Sequence, residues 1–466
     1  MTEKSTAKIE SFSVIILAAG QGKRMKSPLP KVLHPVSGRP MIERIILAAK
    51  SAGAREVRLV VGHGQNLVRQ VVLPLGVQCF VQESQQGTAD AVRSAQVDSL
   101  EGDVVIMNGD HPLIDAQDIR NFVQIFREEK ADLALVTAKV KNPKEMGRIV
   151  RRNGDLMAVV EAKDASAETL KINEINTGIY VVKAAVLQKI LPLIKNFNAQ
   201  KEFYLTDLIS LSLEKKQRLI GINSSAKVAV GVNSQAELAK ANTYFFRKKA
   251  TALMEAGVLM LDPKAVYIED SVEVGPGSVI YPNVFLRGKT KVGSFCVIES
   301  NSFISESQIA DSVQIRAGCY LEQVEVHSKA TLGPYARLRP QTVIGEEAHV
   351  GNFVEMKKVN FGKKSKAGHL TYLGDAEIGE RVNIGCGTIT CNYAVDHKKY
   401  KTVIGDDVFV GSDTQFVAPV NVGDSAVIGS GSTITKDVPS RALAVARSRQ
   451  NNIENYVDKN NMEVKD

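Results

Sequence analysis

The sequence predicts an α/β domain built on a parallel sheet, then an all-β solenoid, the two joined by a long helix. Three observations predict it. Apolar runs alternate with amphipathic segments from Ser13 to about Val232, Ser234 to Ala256 holds neither Gly nor Pro, and from about Pro263 to Val438 an aliphatic residue returns at every sixth position. A chain of 466 residues also exceeds one typical core, so domains at 1–235 and 257–466 with a helical linker at 236–256 are expected.

In the first part, Val14 to Ala19, Glu56 to Val61, Val77 to Val81, Val104 to Met107 and Leu133 to Ala138 read as strands. Met41 to Ala52 and Ala116 to Lys130 read as helices between them. Such alternation argues a Rossmann-like parallel sheet with ligands at the strands' carboxyl ends. The linker opens on Ser234-Gln235-Ala236-Glu237, a capping-box pattern that satisfies free backbone N–H groups. In the solenoid, Val274, Ile280, Leu286, Val292, Ile298 and Ile304 form one series. Leu332, Leu338, Ile344, Val350 and Met356 form a second, and Ile404, Val410, Phe416, Val422, Ile428 and Ile434 a third. Ser440 to Asp466 is polar, loses the period and reads as a mobile tail.

Composition excludes several classes. Hydrophobic residues make up 44% and charged residues 24%, ordinary for a soluble globular chain. The formal net charge of +8 suits anionic substrates, and no block of Lys and Arg points to nucleic acid. No stretch approaches the roughly 20 apolar residues that cross a bilayer. Met1 to Ser13 is polar and lacks a signal-peptide pattern, so a cytoplasmic protein without membrane insertion is expected. The five cysteines contain no C-x-x-C pair, which argues against a disulfide framework or zinc site.

Two motifs carry chemistry in the first part. Leu17-Ala18-Ala19-Gly20-Gln21-Gly22-Lys23-Arg24-Met25 follows a buried strand and precedes Leu29-Pro30-Lys31. Its glycines let the backbone approach a phosphate, to which Arg24 and Lys31 bring positive charge. It is neither a Walker loop nor the dinucleotide fingerprint. The second motif, Asn108-Gly109-Asp110, ends a later strand, where a carboxylate suits Mg²⁺ shared with substrate phosphates.

In the second part the six-residue frame breaks between Met356 and Ile378 and between Thr390 and Ile404. Both breaks read as insertions. The first holds Lys357, Lys358, Lys363, Lys364, Lys366, His369 and Tyr372, and the second holds Asn392-Tyr393, His397, Lys398, Lys399 and Lys401. Together with Arg339 they suggest a site for an anionic substrate.

These motifs resemble the sugar-nucleotide pyrophosphorylases. Over nearly the whole chain the match is to the bacterial bifunctional N-acetylglucosamine-1-phosphate uridylyltransferase and glucosamine-1-phosphate acetyltransferase family. The resemblance implies that Leu17, Ala18, Ala19, Gly20, Lys31, Gln82, Gly87 and Thr88 hold the uridine nucleotide of UTP, with Asn108 and Gly109 beside them. It implies Gly147, Glu161 and Asn176 on the sugar, Asp110 and Asn233 on Mg²⁺, and Arg24 and Lys31 at the reacting phosphates. The stretches Val350 to Lys358 and Gly368 to Asp375 are long matches to the acetyltransferase half. From them His369 is implied as general base, with Arg339, Lys357, Tyr372 and Asn383 on glucosamine 1-phosphate. Cys386, Asn392, Tyr393, Ser412, Ser430 and Arg447 are implied around acetyl-CoA. In this family the solenoid is a left-handed β-helix that packs as a homotrimer.

The chain departs from the family pattern at Lys23, Ala89, Asp90, Asn108 and Cys386, and the loop after Tyr393 is one residue longer than in some relatives, leaving Lys398 or Lys399 as the family's loop lysine at the acetyl site. Two other readings stay open: a single-activity nucleotidylyltransferase with a structural or regulatory solenoid, and a non-enzymatic scaffold.

Overall fold

The structure is a computed structural model that describes residues 11–459. Most of the polar N-terminal stretch and the end of the C-terminal tail lie outside the described residues. The boundary between two compact units falls between Phe245 and Phe246, inside a helix.

In the first unit the strands are β1 (Phe12–Ala18), β2 (Ala54–Val61), β3 (Gln78–Val81), β4 (Asp103–Asn108), β5 (Leu133–Lys139), β6 (Glu174–Lys183) and β7 (Leu219–Ser224). They lie in the order β7-β5-β6-β4-β1-β2-β3. Alternate residues of β1 feed opposite layers: Val14, Ile16 and Ala18 enter one core and Ile15 the other. Helix α1 (Met41–Ser51) buries Ile42, Ile45, Ile46 and Ala49 in the first of these. Helix α2 (Thr88–Ser94) buries Ala89, Ala91 and Val92 in the second.

The sheet is parallel except for β6, which runs antiparallel between β4 and β5. The hairpin Arg148–Arg152 and Asp155–Val160 hangs from β6 through Ile175 and Arg148. Sequence alternation does not reveal that inserted strand, because its partners lie far away in the chain. Helix α3 (Ala116–Glu128) begins with a complete capping box between Asp115 and Asp118. Strand β1 is flanked by β2 and β4, so the switch point of the sheet lies at the carboxyl ends of β1 and β4.

Helix α4 (Gln235–Glu255) carries the unit boundary. The Ser234 hydroxyl accepts the Glu237 N–H as expected, at 3.3 Å. The Glu237 carboxylate reaches one residue further back than a capping box requires, to the Asn233 N–H at 2.8 Å.

The second unit is a parallel solenoid, a 26-stranded sheet in which each short strand pairs with the strand three further on. Val279 pairs with Val297 and Lys291 with Gln308, so three strands complete a coil. The aliphatic series point inward: Ile280, Leu286, Ile298, Ile304, Leu332, Leu338, Ile344, Val350 and Met356 are fully buried in one continuous core.

The two frame breaks differ in kind. Between Met356 and Ile378 there is no insertion. Two 13-residue strands, His349–Phe361 and Lys366–Ile378, run side by side, and Met356 pairs with Leu373 and Phe361 with Ile378. Each coil there is one residue short of eighteen, so counting aliphatic residues cannot tell a loss from a gain. The second break is a true insertion: Ile389 pairs with Gln415, twenty-six residues on. The repeat also runs past Ser440, since Leu443–Ala444 pairs with Val427–Ile428.

Candidate functional sites

In the first unit a cavity of about 680 Å³ opens at the switch point, and another of about 350 Å³ adjoins it. Leu17, Thr88, Asn108 and Asp110 line both. The smaller lobe adds Ala18, Ala19, Gly20, Lys31, Gln82 and Gly87, and the larger adds Arg24, Gly147, Glu161, Asn176 and Asn233. Gly109 forms the turn between them, its N–H donating to the Leu17 carbonyl at 2.8 Å.

The two loop glycines serve different ends. Gly22 sits at φ +61, and a Cβ there would come within 2.7 Å of Lys31 Cβ, so only glycine lets the loop close on that lysine. A Cβ on Gly20 would meet no protein atom within 4 Å, so its bareness leaves room for a ligand.

Lys31 Nζ lies 2.6 Å from Asp110 Oδ2 and 3.0 Å from Asn233 Oδ1. Burial alone would raise the Asp110 carboxyl. The charges of Lys31 and His111 and the hydrogen bond from Lys31 outweigh it and hold that group below the usual carboxylate range. Two oxygen donors converging on one cation fit a hard divalent ion, with the ammonium as its stand-in. Among the described residues no group of three or more His, Cys, Asp or Glu could hold a metal. A two-donor site therefore leaves the remaining positions to water and phosphate.

Several residues that hold this site were not legible as functional. His111 places Nε2 3.5 Å from Asp110 Oδ1 while its Nδ1–H donates to the Val228 carbonyl at 3.1 Å. Glu237 fixes Asn233 from α4. Arg24 is exposed and pairs with Glu145 at 3.1 Å, a contact of small energetic weight. In the larger lobe Glu161 is pushed up by burial and then by the charges of Asp164 and Asp207. Gly147 packs against it, since a Cβ there would stand 3.4 Å from both Glu161 carboxylate oxygens.

In the second unit, His369 pairs in register with Asn352 on the preceding coil, and its Nδ1 lies 2.8 Å from Asn352 Oδ1. A carboxamide oxygen only accepts, so Nδ1 carries the proton and Nε2 is left with a lone pair. Below His369 the same corner continues through Cys386, Ser412, Ser430 and Arg447, each one coil further on. The Cys386 carbonyl takes the Asp413 N–H at 2.7 Å, the Ser412 carbonyl takes the Gly431 N–H at 2.8 Å, and Arg447 Nη1 donates to the Ser430 carbonyl at 2.9 Å.

The sugar-phosphate candidates gather elsewhere. Tyr372 lies in register with Glu355, and Lys357 with Gly374 at the next corner. The Lys357 ammonium is pushed below the ordinary lysine range, first by hydrogen bonding with Lys399 and then by the charges of Lys399 and Arg339. Three cations drawn together, with Arg339 ion-paired to Glu355, suit a phosphate. Of the two loop lysines, Lys399 is the one whose charge bears on Lys357. Glu355 accepts from Arg339 at 2.9 Å and holds it there.

Asn392 belongs to this second corner too, donating to Asp375 Oδ2 at 2.5 Å, and Tyr393 follows it. Asn383 lies on a third strand position, paired with Lys366 and Phe409. A single chain therefore does not bring all the second-half candidates together. The His369 corner and the Lys357 corner are separated by the strand through Val354 and Met356, roughly 10 Å of extended chain.

Comparison with known proteins gives the same two halves. Residues 14–171 match the MobA-like NTP transferase domain, and residues 401–436 match the bacterial transferase hexapeptide family of six repeats. The bifunctional protein GlmU of Bdellovibrio bacteriovorus is 70% identical over 445 residues, covering 96% of this chain and 97% of the relative. That of Pelobacter propionicus is 45% identical over 454 residues, covering 96% and 98%. That of Carboxydothermus hydrogenoformans is 45% identical over 446 residues, covering 95% and 99%.

Proposed function

The chain belongs to the family of bifunctional GlmU proteins, and from that premise we infer a transferase running two successive reactions on one polypeptide. Its solenoid half, a left-handed parallel β-helix, N-acetylates glucosamine 1-phosphate from acetyl-CoA. Its α/β half then transfers uridylyl from UTP to the N-acetylglucosamine 1-phosphate, releasing pyrophosphate and forming UDP-N-acetylglucosamine. The observation that carries this reading is that two separate constellations, Lys31–Asp110–Asn233 and Asn352–His369, sit on one chain. An inert solenoid would need neither an oriented histidine on one corner nor a cluster of cations on the next.

At the solenoid site the substrate amine attacks the thioester carbonyl of acetyl-CoA. His369 Nε2 takes the amine proton, and Asn352, by accepting from Nδ1, fixes the tautomer that turns the Nε2 lone pair outward. Such positioned proton transfer typically contributes about 10² to 10⁴ in rate. Arg339, Lys357 and Lys399 hold the sugar phosphate with Tyr372, and Asn383 helps position the sugar. Cys386, Ser412, Ser430 and Arg447 form a column against which acetyl-CoA lies, with Asn392 and Tyr393 supplied by the insertion loop. The CoA thiolate leaves and is protonated.

At the α/β site Leu17, Ala18, Ala19, Gly20, Gln82, Gly87 and Thr88 hold the nucleotide, and Gly147, Glu161 and Asn176 hold the sugar. The sugar phosphate oxygen attacks the α-phosphorus in line with departing pyrophosphate. Asp110 and Asn233 would hold Mg²⁺, which supplies charge neutralisation on the triphosphate. Lys31 and Arg24 turn from Asp110 and Glu145 to the reacting phosphates, an electrostatic and positioning role.

No helix among the described residues is long and apolar enough to cross a membrane, and a cytoplasmic homotrimer acting on small molecules is the proposed working form.

Separate assays of thiol release and pyrophosphate release test the reading. His369→Ala should cut acetyl transfer at least 100-fold and leave uridylyl transfer intact. Asp110→Asn and EDTA should each abolish uridylyl transfer and spare acetyl transfer. Equal loss of both activities from either folded variant refutes the division.

A further inference from the structure

We propose that Asp90 is a positioning residue that fixes which way the Gln82 amide faces, and so makes the base pocket select uracil over cytosine. The proposal rests on the reading above that Gln82 holds the nucleotide base. Asp90 stands where the family pattern has a different residue, and the structure gives it a defined task.

Gln82 follows the carboxyl end of β3 and is 6% exposed in the smaller lobe of the cleft. Its Nε2 donates to Asp90 Oδ2 at 2.7 Å and to the Gly87 carbonyl at 3.1 Å. A carboxylate and a backbone carbonyl both only accept, so the two amide protons are fully used. Flipping the amide would set Oε1 against two acceptor oxygens with no proton between them. The unflipped amide leaves Oε1, an acceptor, as the only part of the group free to meet a ligand.

Asp90 is itself held in place. It lies in the first turn of α2, and its Oδ2 also takes the Gln86 N–H at 3.4 Å. Gly87 is held from both sides, the Gln86 carbonyl accepting the Phe203 N–H at 2.7 Å and the Ala89 N–H donating to the Phe203 carbonyl at 2.9 Å. The acceptor is therefore presented by a fixed frame rather than chosen by the incoming base.

Uracil carries a proton on N3 and can donate it to that oxygen. Cytosine carries a lone pair on N3, so the same approach opposes two acceptors. A mismatch of this kind typically costs roughly 10- to 100-fold in discrimination. Without Asp90 the amide would be free to rotate and offer Nε2 to cytosine.

The test compares kcat/KM for UTP and for CTP in pyrophosphate release, using full-length enzyme with Mg²⁺ and N-acetylglucosamine 1-phosphate. Asp90→Ala should lower the UTP-to-CTP ratio at least 10-fold, with kcat/KM for CTP rising. Asp90→Asn, whose amide oxygen can still accept from Gln82, should keep most of the ratio. Asp90→Ser, too short to reach Gln82, replaces the alanine variant if that one fails to fold. A ratio unchanged in Asp90→Ala or Asp90→Ser while both nucleotides lose activity would show a merely structural residue and overturn the proposal. Gln82→Ala separates the two levels of failure. If it collapses the ratio while Asp90→Ala does not, only the positioning role falls. If it leaves the ratio unchanged, the reading of Gln82 as the base-holding residue falls with it.

Discussion

Glu161 illustrates how a residue proposed to hold the sugar opposes stability. Its carboxyl is pushed up by burial and by Asp164 and Asp207, so ionisation costs more in the folded state than in the unfolded chain. With the folded pKa raised, that penalty is absent below the unfolded value near 4.3 and grows as pH rises through the folded value. Glu161→Gln should therefore raise the Tm of the α/β unit at pH 7 to 8, and the gain should vanish near pH 4. The same change should raise KM for N-acetylglucosamine 1-phosphate about tenfold, since a charged hydrogen-bond acceptor is lost. Thermal melts across pH, beside uridylyl transfer kinetics, check both halves. A lower Tm at pH 8 would show that the carboxylate is stabilising. Motif residues such as Lys31, Asp110 and His369 were legible because each has a chemistry of its own. Asn352, Glu237, His111 and Asp90 were not, because each acts only through a neighbour that the fold supplies.

At the scale of elements, local periodicity carried most of the fold. The helix over Met41–Ser51 and the strands around the switch point follow from spacing alone. What spacing cannot state is partnership, which is why β6 and its direction were invisible. The same limit hid the nature of the first frame break, where two coils each lose a residue and yet stay fully paired. The second break allows a direct test. Excising Tyr393–Tyr400 would return Thr390 and Ile404 to six-residue spacing and restore the pairing distance between Ile389 and Gln415 to that of an ordinary coil. Because a solenoid is stabilised by contacts between neighbouring coils, the shortened chain should fold with an unchanged or higher melting temperature. It should lose acetyl transfer at least 100-fold, since Lys399 and Tyr393 go with the loop, and keep uridylyl transfer. Unfolding of the excised chain in circular dichroism would instead make the loop a structural part of the coil.

For the whole molecule, the decisive fact is that one chain presents the residues proposed for acetyl transfer on two corners of the solenoid. His369 heads the column ending at Arg447, while Lys357, Lys399, Tyr372 and Asn392 gather across an intervening strand. A corner from one chain set against a different corner of the next would complete the site, which is what a closed threefold ring of identical chains provides. The consequence is complementation. His369→Ala removes the base from one corner, and a double variant Lys357→Ala with Lys399→Ala removes the phosphate cluster from the other. Each homotrimer should be inactive in acetyl transfer. Trimers reassembled from a mixture should contain boundaries where an intact His369 corner faces an intact Lys357 corner. Acetyl transfer should return to a tenth or more of wild type, on the order of the fraction of such boundaries. Uridylyl transfer should be unaffected throughout, since none of the altered residues lies in the α/β unit. Light scattering establishes the trimer and a tagged pull-down establishes mixing. Proven mixed trimers with no recovered acetyl transfer would mean that each chain builds its site alone, with the two corners bridged by substrate along a single solenoid.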